Sequence, residues 1–315
     1  MSLHKKSQRH QWREEPGYSL VRKALQDWPQ EAVKYLAENI KGRGGLSQES
    51  WQHILDLTGF DAKHGITELL PVAALWAKPP ISNYHVGAVV LGESGSVYFG
   101  ANLEFPGLPL SMTVHAEQAA VAHSWSCGET AIQALAINAP PCGYCRQFLN
   151  ELGCRDVIKI YLPDREPMTV GDLLPDAFGP AHLGIQGGMM DNAKQTSDFA
   201  EGASDDQEVS SMTCTAAAES WAPYSSSYSA VTLLCDDGSK VVGRYCENAA
   251  FNPSFAPMQM AFSLLNMSGR HPGQIQKAWL AESRLGQISQ ESLSRLVLDS
   301  LSDVTLEVGH LDSNE

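Results

Sequence analysis

The chain has 315 residues, 43% of them hydrophobic and 18% charged, with a formal net charge of −14. That length suits about two compact domains, each with its own core, while the acidic balance and the lack of a Lys/Arg stripe exclude a nucleic-acid footprint and favour small substrates. No stretch approaches the roughly 18 continuous apolar residues of a membrane span, and seven cysteines without a secretion signal read as reduced thiols, so no membrane contact and a cytoplasmic location are expected.

Residues 1–60 carry helical patterning and are expected to form a helical N-terminal segment. After a further helix-like stretch, "ITELLPVAALWA", residues 86–105 show two β-rich runs around a Gly/Ser turn, a hairpin signal. There follow a helix ("VHAEQAAVAHSW"), a strand ("QALAINA"), a helix ("YCRQFLNELG") and a last strand ("DVIKIYLP"). The same order then returns: "TCTAAAESWA", the hairpin "AVTLLCDDGSKVVGRYCEN", "MQMAFSLLNM", "KAWLAES", "QESLSRLVLDSL" and "DVTLEVGHL". Gly95 and Gly238, Gly100 and Gly243, and Glu104 and Glu247 are each 143 positions apart. Strands alternating with helices predict an α/β layered fold, a mixed sheet flanked by helices in each of two tandem units. The expected boundaries are 61–165 for the first unit, a polar, acidic, Gly/Ser-containing linker over 166–210, and 211–315 for the second.

The helix after the first hairpin opens with His115 and Glu117, two positions apart and therefore not direct partners on a helix. A His at a helix start is ordinarily a cap or a packed residue, and a Glu in the first turn complements the dipole. The internal repeat argues otherwise. At the 143 offset His115 faces Met258, Glu117 faces Met260, Cys142 faces Leu285 and Cys145 faces Ile288, so a whole polar set is replaced by apolar residues. The first unit therefore holds one site, and the second, degenerate and non-catalytic, keeps the scaffold. His115, Cys142 and Cys145 supply one imidazole and two thiolates, the ligand types zinc prefers, with C-x-x-C at a helix start and a fourth position open. Glu117 then reaches a metal-bound water and moves its proton. Arg146, beside Cys145, either tempers the thiolates or is an exposed helical Arg. Cys127, Cys154, Cys214, Cys235 and Cys246 are expected to pack as small hydrophobes.

His115-Ala116-Glu117 with Pro141-Cys142-Gly143-Tyr144-Cys145 matches the H-x-E and P-C-x-x-C signature of the zinc deaminases. With "GANLEF", the broken second copy, the helical leader and "LLPDAFGP", the chain from about residue 50 onward resembles the two-domain, homodimeric cytidine deaminases of enteric-type bacteria. The resemblance implies one zinc per subunit and hydrolytic deamination of cytidine and 2'-deoxycytidine by zinc hydroxide attack at C4, with Glu117 as the catalytic proton carrier, in pyrimidine salvage. It implies a homodimer whose active site is completed by the partner subunit. It also implies that Asn102 and Glu104 hold the ribose 3'-hydroxyl, that Tyr84 packs against the pyrimidine where the family usually has Phe, and that Phe178 adds a second aromatic from the partner. The Ala116 N–H would read the 2-oxo group, the Pro140 carbonyl would receive the departing amine, and the "ENAAF" loop, Glu247 to Phe251, would approach the partner's ribose site. Two other readings share features of the chain: a base or nucleic-acid deaminase, and a non-catalytic binding module.

Overall fold

The computed structural model describes residues 12, 15–191, 199–200 and 207–313. The start of the helical N-terminal segment and most of 192–206, within the expected linker, lie outside the described residues.

Among the described residues five α-helices precede the first hairpin: α1 (Tyr18–Ala24), α2 (Gln30–Asn39), α3 (Gln48–Thr58), α4 (Ala62–Glu68) and α5 (Leu70–Ala73). Local signals set their ends. Ser47 accepts from the Ser50 N–H before α3, Gly59 closes α3 in the left-handed region, and Asp61 accepts from the Lys63 and His64 N–H groups before α4. A short strand among them, β1 (Gly45–Leu46), was not expected from the helical patterning; it joins the edge of the first sheet.

The first unit continues with β2 (Gly87–Gly92), β3 (Val97–Ala101), α6 (Ala116–Ser126), β4 (Ile132–Ile137), α7 (Gly143–Leu149) and β5 (Lys159–Tyr161). The sheet order is β1-β3-β2-β4-β5, with β4 and β5 parallel and the other pairs antiparallel. The stretch 166–191 of the expected linker carries α8 (Val170–Leu173), and its Met189 and Met190 are buried in the core shared by the two units. The second unit contains β6 (Phe199–Ala200), α9 (Gln207–Ala218), β7 (Ser229–Cys235), β8 (Lys240–Arg244), α10 (Pro257–Met267), β9 (Ile275–Ser283), α11 (Glu291–Leu301) and β10 (Leu306–Ser313). Its sheet, β6-β10-β9-β7-β8, repeats the four-stranded core of the first, down to an irregularity at Leu91/Gly92 that recurs at Leu234/Cys235. Both units are thus mixed sheets flanked by helices.

The two sheets face each other across a shared helical layer. Ala88 and Val90 of β2 point into this layer, while Val89 and Leu91 point outward beneath the N-terminal helices, the period-2 alternation of a strand covered on both faces. Helix α9 covers the far face of the second sheet. The layer explains why α6 is buried all round: every residue from Ala116 to Trp125 is buried, since the helix packs between its own sheet and α10. The second unit holds both of its ends. Gln118 donates to the Pro253 carbonyl at 3.4 Å, Gln259 returns the bond to the Met112 carbonyl at 2.7 Å, and Arg244 lies over the Trp125 ring and donates to the Trp125 carbonyl at 2.7 Å.

Close approach of α6 to its sheet depends on Gly100, where a Cβ would meet the Ala120 nitrogen at 2.1 Å and the Ala116 carbonyl at 2.4 Å. Gly243 plays the same part beneath α10. Backbone cannot step aside as a flexible side chain can, so Gly100→Val is expected to destabilise the protein by about 3 kcal/mol. An unchanged denaturant midpoint in that variant would refute the packing argument. Among the described residues no helix is long and apolar enough to cross a membrane.

The symmetry corrects the alignment read from the sequence. The 143 offset holds for the hairpins and for β4 against β9. The reciprocal bonds of Gln118 and Gln259, however, relate α6 and α10 by 141 positions, because the connection from Cys246 to Phe255 is two residues shorter than that from Leu103 to Val114. Ala256 therefore stands opposite His115, and Met258 opposite Glu117. Farther on, the cap of α11 is Gln290, so Leu285 and Ile288 lie in the exposed loop before that helix and do not occupy the positions of Cys142 and Cys145. Among the described residues the second copy still has no matching set of metal ligands.

Candidate active site

Two helix starts converge on the site. His115 caps α6 and Cys142 caps α7, each in extended backbone, and Cys145 lies one turn into α7 and is buried. The His115 N–H is held by the Gln118 amide oxygen at 3.4 Å. Cys142 Sγ lies 3.6 Å from His115 Nδ1 and 3.7 Å from Cys145 Sγ. Tetrahedral zinc with Zn–S near 2.3 Å and Zn–N near 2.0–2.1 Å requires sulfur–sulfur and sulfur–nitrogen separations of about 3.8 and 3.6 Å, so the donor set fits the ion, with Nδ1 the ring nitrogen that faces Cys142. Among the described residues this is the one group of His, Cys, Asp or Glu whose ligand atoms cluster this closely, all within 4.8 Å.

The electrostatics prepare the same atoms. Hydrogen bonding from Cys145 and His115 pulls the Cys142 thiol down to about 3, whereas sharing a proton with Cys142, together with burial, holds the Cys145 thiol far above its ordinary range. Glu117, only 4% exposed, sits on the first turn of α6, and its carboxyl group interacts with the Cys145 thiol. Burial raises its pKa, against the opposing pull of its own backbone N–H, His115 and Cys145. The arrangement presents three metal ligands and, beside them, a buried carboxyl group that exchanges protons more readily near neutrality than an exposed one.

Asn102 and Glu104 flank Leu103, which pairs through two backbone bonds with Val114, the residue before His115. Both are buried and already work as staples. The Asn102 amide accepts from the Val86 N–H at 3.0 Å and donates to the Tyr84 carbonyl at 2.9 Å. Glu104 accepts from the N–H groups of Ile81 and Ser82 and from the Ser82 hydroxyl. Glu247 treats Tyr224 and Ser225 identically in the second unit, so this carboxylate recurs where no ligand set does. Tyr84 is exposed at 60%, its carbonyl held by Asn102. Ala116 is the first residue of α6, where the backbone N–H has no intrahelical partner. Phe178 is half exposed and stacks on His182, and its carbonyl accepts from Gln147 and Asn150 beside α7. Arg146 donates to the Pro141 and Leu173 carbonyls, fastening the loop before α7 and the stretch after it.

Two participants escaped the sequence. Tyr144, inside the C-x-x-C motif, stacks on the His115 ring with centroids 5.1 Å apart and planes 22° apart. Glu151, just past α7, is fully buried and bonded to the second unit. A helical pattern marks a Glu as solvent-facing unless its donors are known, and those donors lie about seventy or more residues away.

Residues 63–160 and residues 170–295 each match a family model of the cytidine and deoxycytidylate deaminase zinc-binding region. A cytidine deaminase of Serratia proteamaculans is 44% identical over 256 residues, 81% of this chain and 86% of that protein. One from Vibrio cholerae is 40% identical over 287 residues, 90% and 95% of the two chains, and one from a Shewanella species is 46% identical over 239 residues, 76% and 79%. Similarity of this extent, joined to a ligand triad of zinc dimensions with a buried carboxyl group beside it, means that the chain belongs to the zinc-dependent cytidine deaminase family.

Proposed function

We propose that the protein hydrolytically deaminates cytidine and 2'-deoxycytidine to the uridines with release of ammonia, a pyrimidine-salvage reaction. The observation that carries this reading is the buried Glu117 carboxyl group beside the His115, Cys142 and Cys145 ligand atoms. His115, Cys142 and Cys145 would hold one zinc ion per subunit, which when bound would supply an activated water for attack at C4 of the pyrimidine. Glu117 would accept a proton from the attacking water and give it to N3 of the base, then carry the proton of the new C4 hydroxyl to the amine, so that the C4–N bond breaks, the C4 carbonyl forms and ammonia departs.

Recognition is assigned to the residues around this centre. The Ala116 N–H at the start of α6 reads the 2-oxo group, and Tyr84 lays its ring against the base. Asn102 and Glu104 hold the ribose 3'-hydroxyl. Their staple bonds leave capacity for it, since a primary amide has two donors and a carboxylate about four acceptor sites. Phe178 closes the site of a partner subunit in a homodimer. Seven free cysteines suit a reducing compartment, and we place the enzyme in the cytoplasm.

A substrate panel tests the reading. Ultraviolet absorbance should report conversion of cytidine and 2'-deoxycytidine, with cytosine and a cytosine-containing oligonucleotide left essentially unchanged. Faster turnover of cytosine would remove Asn102 and Glu104 from substrate recognition, and turnover of the oligonucleotide would shift the substrate class.

A further inference from the structure

We propose that the second unit, devoid of ligands itself, positions the metal-bearing helix of the first, and that Asn248 and Glu151 are the positioning residues. The proposal rests on the zinc reading of His115, Cys142 and Cys145. Helix α7 has seven residues and carries Cys142 and Cys145; a helix that short does not hold its own geometry in water, and its last carbonyls lack intrahelical partners. The second unit supplies what is missing. The Asn248 side chain donates to the Gln147 carbonyl in the last turn of α7 at 2.9 Å and accepts from the Gln147 side chain at 3.3 Å.

Glu151, two residues past α7, collects three donors, all from the second unit: the Trp221 indole N–H at 2.9 Å, the Tyr224 hydroxyl at 2.6 Å and the Ala249 N–H at 2.8 Å. A buried carboxylate is costly unless its oxygens are satisfied, so this one ties α7 to a single arrangement of its neighbour. The clamp is itself braced. Glu247 holds the N–H groups of Tyr224 and Ser225, and Asn248 closes its own loop through the Ala250 N–H and the Ser254 hydroxyl. At the hairpin offset the first unit has Phe105 where the second has Asn248, so the grip runs one way, from the degenerate unit to the zinc unit. That gives the polar Glu247-Asn248-Ala249 stretch a reason to persist in a unit without ligands.

The test is zinc affinity of the full-length protein by chelator competition, with melting of the metal-free form measured beside it. Asn248→Ala and Glu151→Gln are expected to weaken zinc binding by about 10- to 100-fold, the scale of lost support around metal ligands, and to alter the visible spectrum of the cobalt-substituted protein. Asn248→Asp, isosteric but without the donor, should behave like Asn248→Ala. Leu298→Ala, a buried apolar side chain on α11 that makes no hydrogen bond to the clamp, should lower the melting temperature with zinc affinity unchanged. Unchanged affinity in both clamp variants, or an equal loss in Leu298→Ala, would overturn the positioning role. If Glu151→Gln does not fold, Asn248→Ala and Asn248→Asp decide. Failure of the underlying reading is distinguishable, because then the wild type itself would not take up zinc, or Cys142→Ala would take it up as tightly.

Discussion

Glu117→Gln is expected to lower kcat by about 10²- to 10⁴-fold while zinc content stays at the wild-type level. The amide matches the carboxyl group in shape and cannot cycle a proton, so the change removes one function from an otherwise intact site. Stability should move the other way. Burial raises the folded-state pKa of Glu117, so its ionised form opposes folding above the pH at which an unfolded glutamate ionises. Replacing it with a neutral amide relieves that cost, and the melting temperature of the metal-free variant should hold or rise at neutral pH. Lost turnover together with lost stability would indicate a damaged fold, and a rate above about a tenth of wild type would take the proton-carrying role from Glu117. Activity and stability are expected to diverge because the site keeps a destabilising group for its chemistry.

The repeat was legible because the physics that shapes it is local. Period-2 runs around Gly95 and Gly238 and apolar helices of one length recur in one order, and each became the predicted element. The alignment beyond the hairpins was not legible. Loops absorb insertions without disturbing the layers, so a constant offset read from glycines breaks at the first loop of different length, here between Cys246 and Phe255. Strand β1 was missed for a related reason. Two residues carry no period, and only the edge of β3 makes them a strand.

The clustering of His115, Cys142 and Cys145 was legible because few ligand types suit zinc and their spacing on helix starts is distinctive. The supports around it were hidden. Tyr144 lies in the quoted motif, yet nothing in its neighbours says that its ring will stack on His115. The family resemblance implies a sugar-binding role for Glu104, but in the structure it holds the backbone of residues 81–82, and only the matching Glu247 exposes that task. Side-chain partners far apart in sequence are set by the packed layers, which no local pattern encodes.

Cys145→Ala is expected to reduce bound zinc below a tenth of wild type and to erase the effect of chelators on melting. In the wild type, zinc at a thousandfold excess over its Kd contributes about 4 kcal/mol of stability that a chelator removes. The pH dependence identifies which atoms take the metal. Cys142 is already a thiolate near neutrality, with its thiol pulled down to about 3, and so gives up no proton on binding. Cys145 holds its proton, through its contact with Cys142 and through burial, and must release it to zinc. Wherever His115 is already neutral, affinity should therefore rise about tenfold per pH unit, one proton leaving per zinc. Burial opposes protonation of His115, but the Cys142 thiolate outweighs it and the net shift is upward. As pH falls below that raised value a second proton has to leave, and the dependence should steepen. Calorimetry in two buffers of different ionisation enthalpy counts these protons directly. Zinc uptake without proton release at pH 8 would show that Cys145 is no ligand, whereas release that grows from one proton toward two on acidification would assign both Cys145 and His115 to the metal.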